Sequence, residues 1–184
     1  VLADQQKWSQ AADVAQRAAE LDPNSMDVHR TYGYVLESRG EYRQAIEEYQ
    51  RALEINPNLG FLYLSIGQNY RKLGDTDSAL EAFAQAAAFN TEDVLPYLAI
   101  GRTYYQLGEY FIAARNIEKA LTLDPINPDI YGRLGLVYFH GKNYEGALIA
   151  RVLARQFGVP PEAVSHAMAL TDPFQVVDVL ARKG

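Results

Sequence analysis

The sequence predicts an all-α solenoid of helix–turn–helix units, each 34 residues long, closed by further helices at its C-terminal end. Three observations predict it. Small residues recur in register with no insertion: Gly33, Gly67, Gly101 and Gly135; Ala11, Ala45, Ala79, Ala113 and Ala147; Ala18, Ala52, Ala86, Ala120 and Ala154. Aromatic residues recur at the same period, as Tyr63, Tyr97 and Tyr131 and as Tyr70, Tyr104 and Tyr138. Turn residues punctuate the units at fixed places, with Gly40, Gly74 and Gly108 inside them and Pro23, Pro57 and Pro125 at their ends. Self-similarity at one period marks stacked supersecondary units, which bury their apolar faces only against their neighbours.

Residues 1–25 match the second half of a unit. Trp8 stands in the column of Tyr42, Tyr110 and Tyr144, and Ala11, Ala18 and Pro23 follow in register. Val1-Leu2-Ala3 reads as the tail of a first helix, so the chain looks like a piece of a longer protein with an open apolar face at this end. Residues 26–59 form the first full unit. Ser25 is placed to cap a helix from Met26 to Ser38, Gly40 to end it in the left-handed conformation, and Asn56-Pro57 to stop a second helix begun at Tyr42. Gly33 and Ala45 are small because the two helices approach closely there.

Residues 60–93 repeat the plan, with Thr91 where proline would be. Asn90 is expected to end the second helix and Thr91 to cap the next. Asp75-Thr76-Asp77 reads as a capping turn, since calcium needs more oxygen ligands. Residues 94–127 are the most regular unit. Asn127 is expected as N-cap and Pro128 as first helical residue of the next. Residues 128–161 drift: the turn glycine is Gly141, one place early, and Arg151 replaces the large apolar residue of the second helix. Residues 162–184 break the period. Apolar stripes at helical spacing (Val164, Ala167 and Met168, then Phe174, Val177, Leu180 and Ala181) predict capping helices over the last unit.

Composition limits the function classes. The 184 residues are 48% hydrophobic and 22% charged, with net charge −6, which fits a globular chain. Acidity argues against nucleic acid, whose binders present a basic face, and against an anionic membrane surface. No apolar run reaches the roughly 20 residues that span a bilayer, so direct membrane insertion is not expected. With no cysteine, disulfides and thiolate metal sites are excluded. Val1-Leu2-Ala3-Asp4 lacks the basic start of a signal peptide.

The pattern resembles the tetratricopeptide repeat. The residues carrying the resemblance are Tyr97, Ile100-Gly101, Tyr104, Gly108, Tyr110, Ala113, Ile117, Ala120 and Pro125, matched one unit earlier by Tyr63, Ile66-Gly67, Tyr70, Gly74, Ala79, Phe83 and Ala86. The resemblance spans residues 26–161 as four repeats, with a half repeat before them. It implies a right-handed superhelix whose first helices line a concave side, and a protein or peptide partner. Chaperone-binding members grip a terminal carboxylate with lysine, asparagine and arginine on these helices. The matching places here hold Arg30, Tyr34, Gln68, Leu95 and Ala99, so that function is not expected.

No catalytic, metal or cofactor site is expected. His29, His140 and His166 are far apart in sequence, and no His-x-x-x-His pair or acidic cluster has metal spacing. His29 falls in a tyrosine column and reads as a packing residue. His140 reads as a solvent-exposed helix end, and Glu47-Glu48 as a solvated outer face. Helical spacing away from the packing columns gives the candidate partner-binding residues: Arg30 and Tyr34; Phe61, Leu64, Gln68 and Arg71; Leu95, Leu98, Arg102 and Tyr105; Arg133, Leu136 and Phe139. Phe61, Leu64, Leu95 and Leu98 are apolar enough to predict a partner segment in a groove, with Arg71 and Arg102 placed to hold its carboxylates or backbone carbonyls. Self-association through the N-terminal half repeat is the alternative.

Overall fold

The structure is a computed structural model that describes residues 2–156, with side chains over residues 7–152. The capping helices expected within 162–184 lie outside the described residues. The described chain is helical throughout, with α1 (Leu2–Leu21), α2 (Met26–Arg39), α3 (Tyr42–Ile55), α4 (Leu62–Leu73), α5 (Thr76–Phe89), α6 (Val94–Gln106), α7 (Tyr110–Leu123), α8 (Pro128–His140) and α9 (Tyr144–Gln156). It divides at a repeat boundary into an N-terminal unit, Val1–Glu92, and a C-terminal unit, Asp93–Gly184.

In the N-terminal unit, α2 pairs with α3, α4 with α5, and α1 lies against α2. Leu36, Ala45, Ile46, Tyr49, Ala52, Leu62 and Ile66 form its core. The glycine column has a direct cause. A Cβ on Gly33 would sit 2.7 Å from the Tyr49 ring, and one on Gly67 would sit 2.5 Å from Phe83. Large residues of the second helices occupy the space that a side chain would need. α1 differs from the sequence reading: Leu2 and Ala3 continue one helix to Leu21 rather than ending another. The place of the turn glycine, Gly40 in the next repeat, falls on Gln6, which has no reason to leave the helix.

In the C-terminal unit, α6 pairs with α7 and α8 with α9, while α7 packs on α8. Ala113, Ile117, Ala120, Ile130, Leu134 and Val137 form the core. Gly101 repeats the close approach, 2.7 Å from Ile117 Cγ1 for an added Cβ. Gly135 does not: its nearest neighbour would be Ala150 Cβ at 3.5 Å, because exposed Arg151 stands where Tyr49, Phe83 and Ile117 stand elsewhere.

Capping follows local chemistry. Asp75 Oδ1 accepts from Ser78 N at 3.2 Å, and Asn127 Oδ1 from Asp129 N at 3.1 Å with Pro128 opening the helix. Ser25 occupies the N-cap without a side-chain bond. Asp93, not Thr91, caps α6, accepting from Leu95 N at 2.9 Å. Only its carboxylate is next to the first helical residue. Gly40, Gly74 and Gly108 end helices at φ 83, 81 and 79°. In the last repeat the turn is not displaced to Gly141, which has φ −76°. Lys142 keeps the register and takes the left-handed conformation at φ 62°, held by Asn143 N donating to Tyr138 O at 2.8 Å.

The largest correction concerns Glu48. It is 6% exposed, not part of a solvated face. His29, also buried, brings Nδ1 within 2.6 Å of Glu48 Oε2, and its Nε2 donates to Pro23 O at 2.9 Å. Arg51 Nη1 donates to Glu48 Oε1 at 2.7 Å. The packing role read for His29 therefore includes a polar clamp joining the α1–α2 turn, α2 and α3. Tyr131, three repeats on, donates its hydroxyl to Pro125 O at 2.9 Å, the same column of carbonyl. The shorter imidazole reaches that carbonyl and leaves room for a carboxylate, where later repeats place Ala82, Asn116 and Ala150.

Candidate functional site

The helical spacing that selected the candidate residues brings part of them together in the C-terminal unit. Leu98, Arg102 and Tyr105 project from successive turns of α6, and Arg133 and Leu136 from α8. These five, with Gln106, Ile117 and Val137, line a groove of about 420 Å³. Buried Ile117 and Val137 form its floor, half-buried Leu98 and Leu136 its walls, and the exposed Arg102 and Arg133 its rim. That volume lies within the usual range for ligand sites.

Sequence reasoning missed Gln106, Ile117 and Val137. Ile117 belongs to a second helix and Val137 to a packing column, so both read as core. They are core, and they also show through between α6 and α8. The signal available was Gly101, whose missing side chain lets α6 sit close against Ile117.

At the turn end of α6, Tyr105 meets the Tyr110 ring edge-on at 5.7 Å and the His140 ring at 5.5 Å. His140 also stacks on Tyr110 at 6.0 Å and meets Phe139 at 5.6 Å, so it is a packed ring, not a solvated helix end. Burial, with the Tyr110 phenol second, pushes the Tyr105 hydroxyl above its ordinary range, which keeps it neutral. The aromatic cluster fixes Tyr105 as a rigid side chain of the groove.

The other candidates are placed differently. Phe139 is buried, clustered with Ala147, with its ring 5.8 Å from Tyr144. This corrects its assignment to a free surface: its ring fills the space over Ala147. Leu95 is 56% exposed, at the start of α6 and outside the groove. In the N-terminal unit, Tyr34 is 58% exposed and meets Trp8 edge-on at 6.1 Å. Phe61 is 51% exposed at the N-cap of α4, Leu64 and Arg71 are half-buried, and Gln68 is exposed. Arg30 is exposed and paired with Asp27 at 2.9 Å.

A second concavity lies between α1 and α2. It has about 590 Å³ and is lined mainly by Ala11, Val14, Ala15, Ala18, Val28 and Val35. Val14 is 68% exposed, whereas its counterparts Glu48, Ala82 and Ala150 are buried and Asn116 is half-buried. Among the described residues no helix is long and apolar enough to cross a membrane, and no group of His, Cys, Asp and Glu is placed to hold a metal ion.

Helix pairs in register, close-approach glycines and a groove on first helices define a helical-repeat scaffold. Two tetratricopeptide-repeat models match the sequence, over residues 26–92 and 98–158. The chain belongs to the tetratricopeptide-repeat family and is a scaffold for protein–protein interaction. Among solved structures it is similar to the MamA protein, with 21% identity over 84% of each chain and a TM-score of 0.74. It is also similar to YrrB, described as a TPR protein with an unusual peptide-binding site, with 22% identity over 91% of this chain and 87% of that one and a TM-score of 0.72. PilF of Pseudomonas aeruginosa gives 19% identity, 98% and 80% coverage and a TM-score of 0.74. At these identities the likeness is one of fold. Comparison with curated protein sequences finds no match.

Proposed function

We propose that the chain is a non-enzymatic binding module that takes a peptide or helix of a partner protein into the groove between α6 and α8. The observation that carries this is the convergence of Leu98, Arg102, Tyr105, Arg133 and Leu136 on one concavity with an apolar floor. Apolar side chains with a few convergent polar groups are the usual make-up of a recognition site. The peptide-binding site in the description of YrrB, a neighbour in fold, supports the same class of partner. A short segment in such a groove binds with a dissociation constant of about 1 μM, near −8 kcal/mol. Nucleic acid and direct membrane insertion are not part of this reading, because the chain carries net charge −6 and no apolar segment of spanning length among the described residues.

The test is affinity capture with the chain as bait beside a Leu98→Arg/Leu136→Arg double variant. Both side chains are half-buried at the groove wall, so the variant is expected to keep its helical circular dichroism. The partner, identified by mass spectrometry, is then titrated calorimetrically against both proteins. Loss of binding in the variant supports the groove. Equal binding moves the site elsewhere and sinks the reading.

A second reading is self-assembly through the apolar face of α1 and α2, which the exposure of Val14 favours. Sedimentation over a hundredfold range of concentration, with Val14→Glu as control, decides it. A chain that stays monomeric throughout removes it.

A further inference from the structure

We infer that the α6–α8 groove selects an acidic, apolar segment of its partner, one whose side-chain carboxylates meet Arg102 and Arg133 while an apolar side chain enters between Leu98 and Leu136. The inference rests on the groove being the binding site and adds the chemistry of the occupant.

Charge inside the groove is of one sign. None of its eight lining residues is acidic, and two are arginines. Neither Arg102 nor Arg133 has a carboxylate within ion-pair distance among the described residues, whereas Arg30, Arg39 and Arg51 hold carboxylates at 2.7–2.9 Å. The only carboxylates at the two groove helices are at their starts: Asp93 caps α6, and Asp129 sits in the first turn of α8. There they complement the positive helix ends and leave the guanidinium groups without a partner.

The surrounding sequence sharpens this contrast. Residues 1–92 hold 8 Lys and Arg against 14 Asp and Glu, and residues 93–184 hold 9 against 9. Residues 93–184 carry no net charge, and the whole net charge of −6 belongs to the first stretch. A guanidinium beside an apolar floor is a good carboxylate receptor. It offers paired donors, and an apolar side chain seated on the floor would displace water beside the bond. A basic segment would set like charges together, and a neutral one would leave both arginines unpaired.

The probes are fluorescein-labelled octapeptides, acetylated and amidated so that only side chains carry charge. One alternates aspartate or glutamate with leucine, one has the amides in place of the acids, and one has lysines. Anisotropy is read on the whole chain. The acidic peptide is expected to bind about tenfold tighter than its amide twin. Added salt should narrow that margin, and Arg102→Gln/Arg133→Gln should abolish it, bringing the acid and amide peptides to equal affinity. Equal affinity for acid and amide overturns the inference and leaves the groove standing. An acid preference untouched by the double variant overturns it too, as does equally tight binding of a short single-stranded oligonucleotide. Failure of every peptide to bind overturns both the inference and the groove beneath it.

Discussion

The two units solve one repeat pattern in different ways. The N-terminal unit buries a polar clamp, His29 and Glu48 with Arg51 above them, where the C-terminal unit has Tyr97, Tyr131, Asn116 and Ala150. The N-terminal unit is acidic. The C-terminal unit is neutral, packs with apolar side chains and, among the described residues, leaves Arg102 and Arg133 without a carboxylate partner over a groove. The difference teaches that the repeat columns fix the helix spacing, while polar chemistry enters where a column changes residue type, as at His29, or between columns, as at Arg102 and Arg133. In the first unit it is turned inward and joins helices. In the second it is turned outward along the groove.

The strongest way to break this comparison is Glu48→Ala. Leaving a buried polar group without its hydrogen-bond partner typically costs about 1–3 kcal/mol, and Glu48 makes two such bonds. The variant leaves His29 Nδ1 without its partner, so urea unfolding of the N-terminal unit should shift to markedly lower midpoint. Asn116→Ala, at the matching place in the C-terminal unit, removes only a bond to Ile112 O at the surface, and should cost under about 0.5 kcal/mol. Equal midpoints would mean that the clamp contributes nothing.

Next come the glycines. Gly67→Ala would put a Cβ 2.5 Å from Phe83 and 3.1 Å from Ala79 O, and should destabilise by about 1–3 kcal/mol. Gly135→Ala meets only ordinary contacts, so the gain in helix propensity should dominate and stabilise by about 0.5–1 kcal/mol. Opposite signs in thermal melts are the expected outcome. Destabilisation by both would show that α8 and α9 pack as closely as α4 and α5. Lys142→Gly sharpens the same contrast at the turn. It relieves a left-handed non-glycine residue and should stabilise by about 1 kcal/mol, whereas Gly108→Lys should cost a similar amount.

The period made most of the fold legible. Columns of glycine, alanine and tyrosine gave helix pairs, turns and boundaries, because packing at a fixed spacing leaves a fixed pattern. What escaped were choices made between columns. Glu48 read as surface because its neighbour Glu47 is surface; only the histidine in a tyrosine column hinted that a carboxylate was wanted inside. Gly141 read as a shifted turn because glycine suits the left-handed region, yet the hydrogen bonds of the turn hold the register and force Lys142 into it. The groove was legible as a face, through Leu98, Arg102, Tyr105, Arg133 and Leu136. Its floor was not, since Ile117 and Val137 look like any other core residue until two helices are set side by side. Phe139 failed for the complementary reason: its spacing fits the face, but its ring packs on Ala147.

The smallest effect compares two tyrosines. Tyr49 donates to Glu37 Oε2 at 2.8 Å, and Tyr138 donates to Glu118. Burial first, then the bond to the glutamate, raises both phenols: Tyr138 is pushed up to about 12, and Tyr49 goes beyond that range. An unfolded tyrosine loses its proton near 10, before either folded one. The stabilisation is therefore fully present below about pH 10 and is lost as pH rises through the folded value, near 12 for Tyr138 and higher for Tyr49. Tyrosinate absorbance during an alkaline titration should show one step near 12 that disappears in Tyr138→Phe, while Tyr49→Phe leaves that step in place. If Tyr138→Phe changes nothing above pH 10, the glutamate bond is not formed in solution. The two units would then differ in this pair as they do in the clamp, with a half-buried acceptor in one and a solvated acceptor in the other.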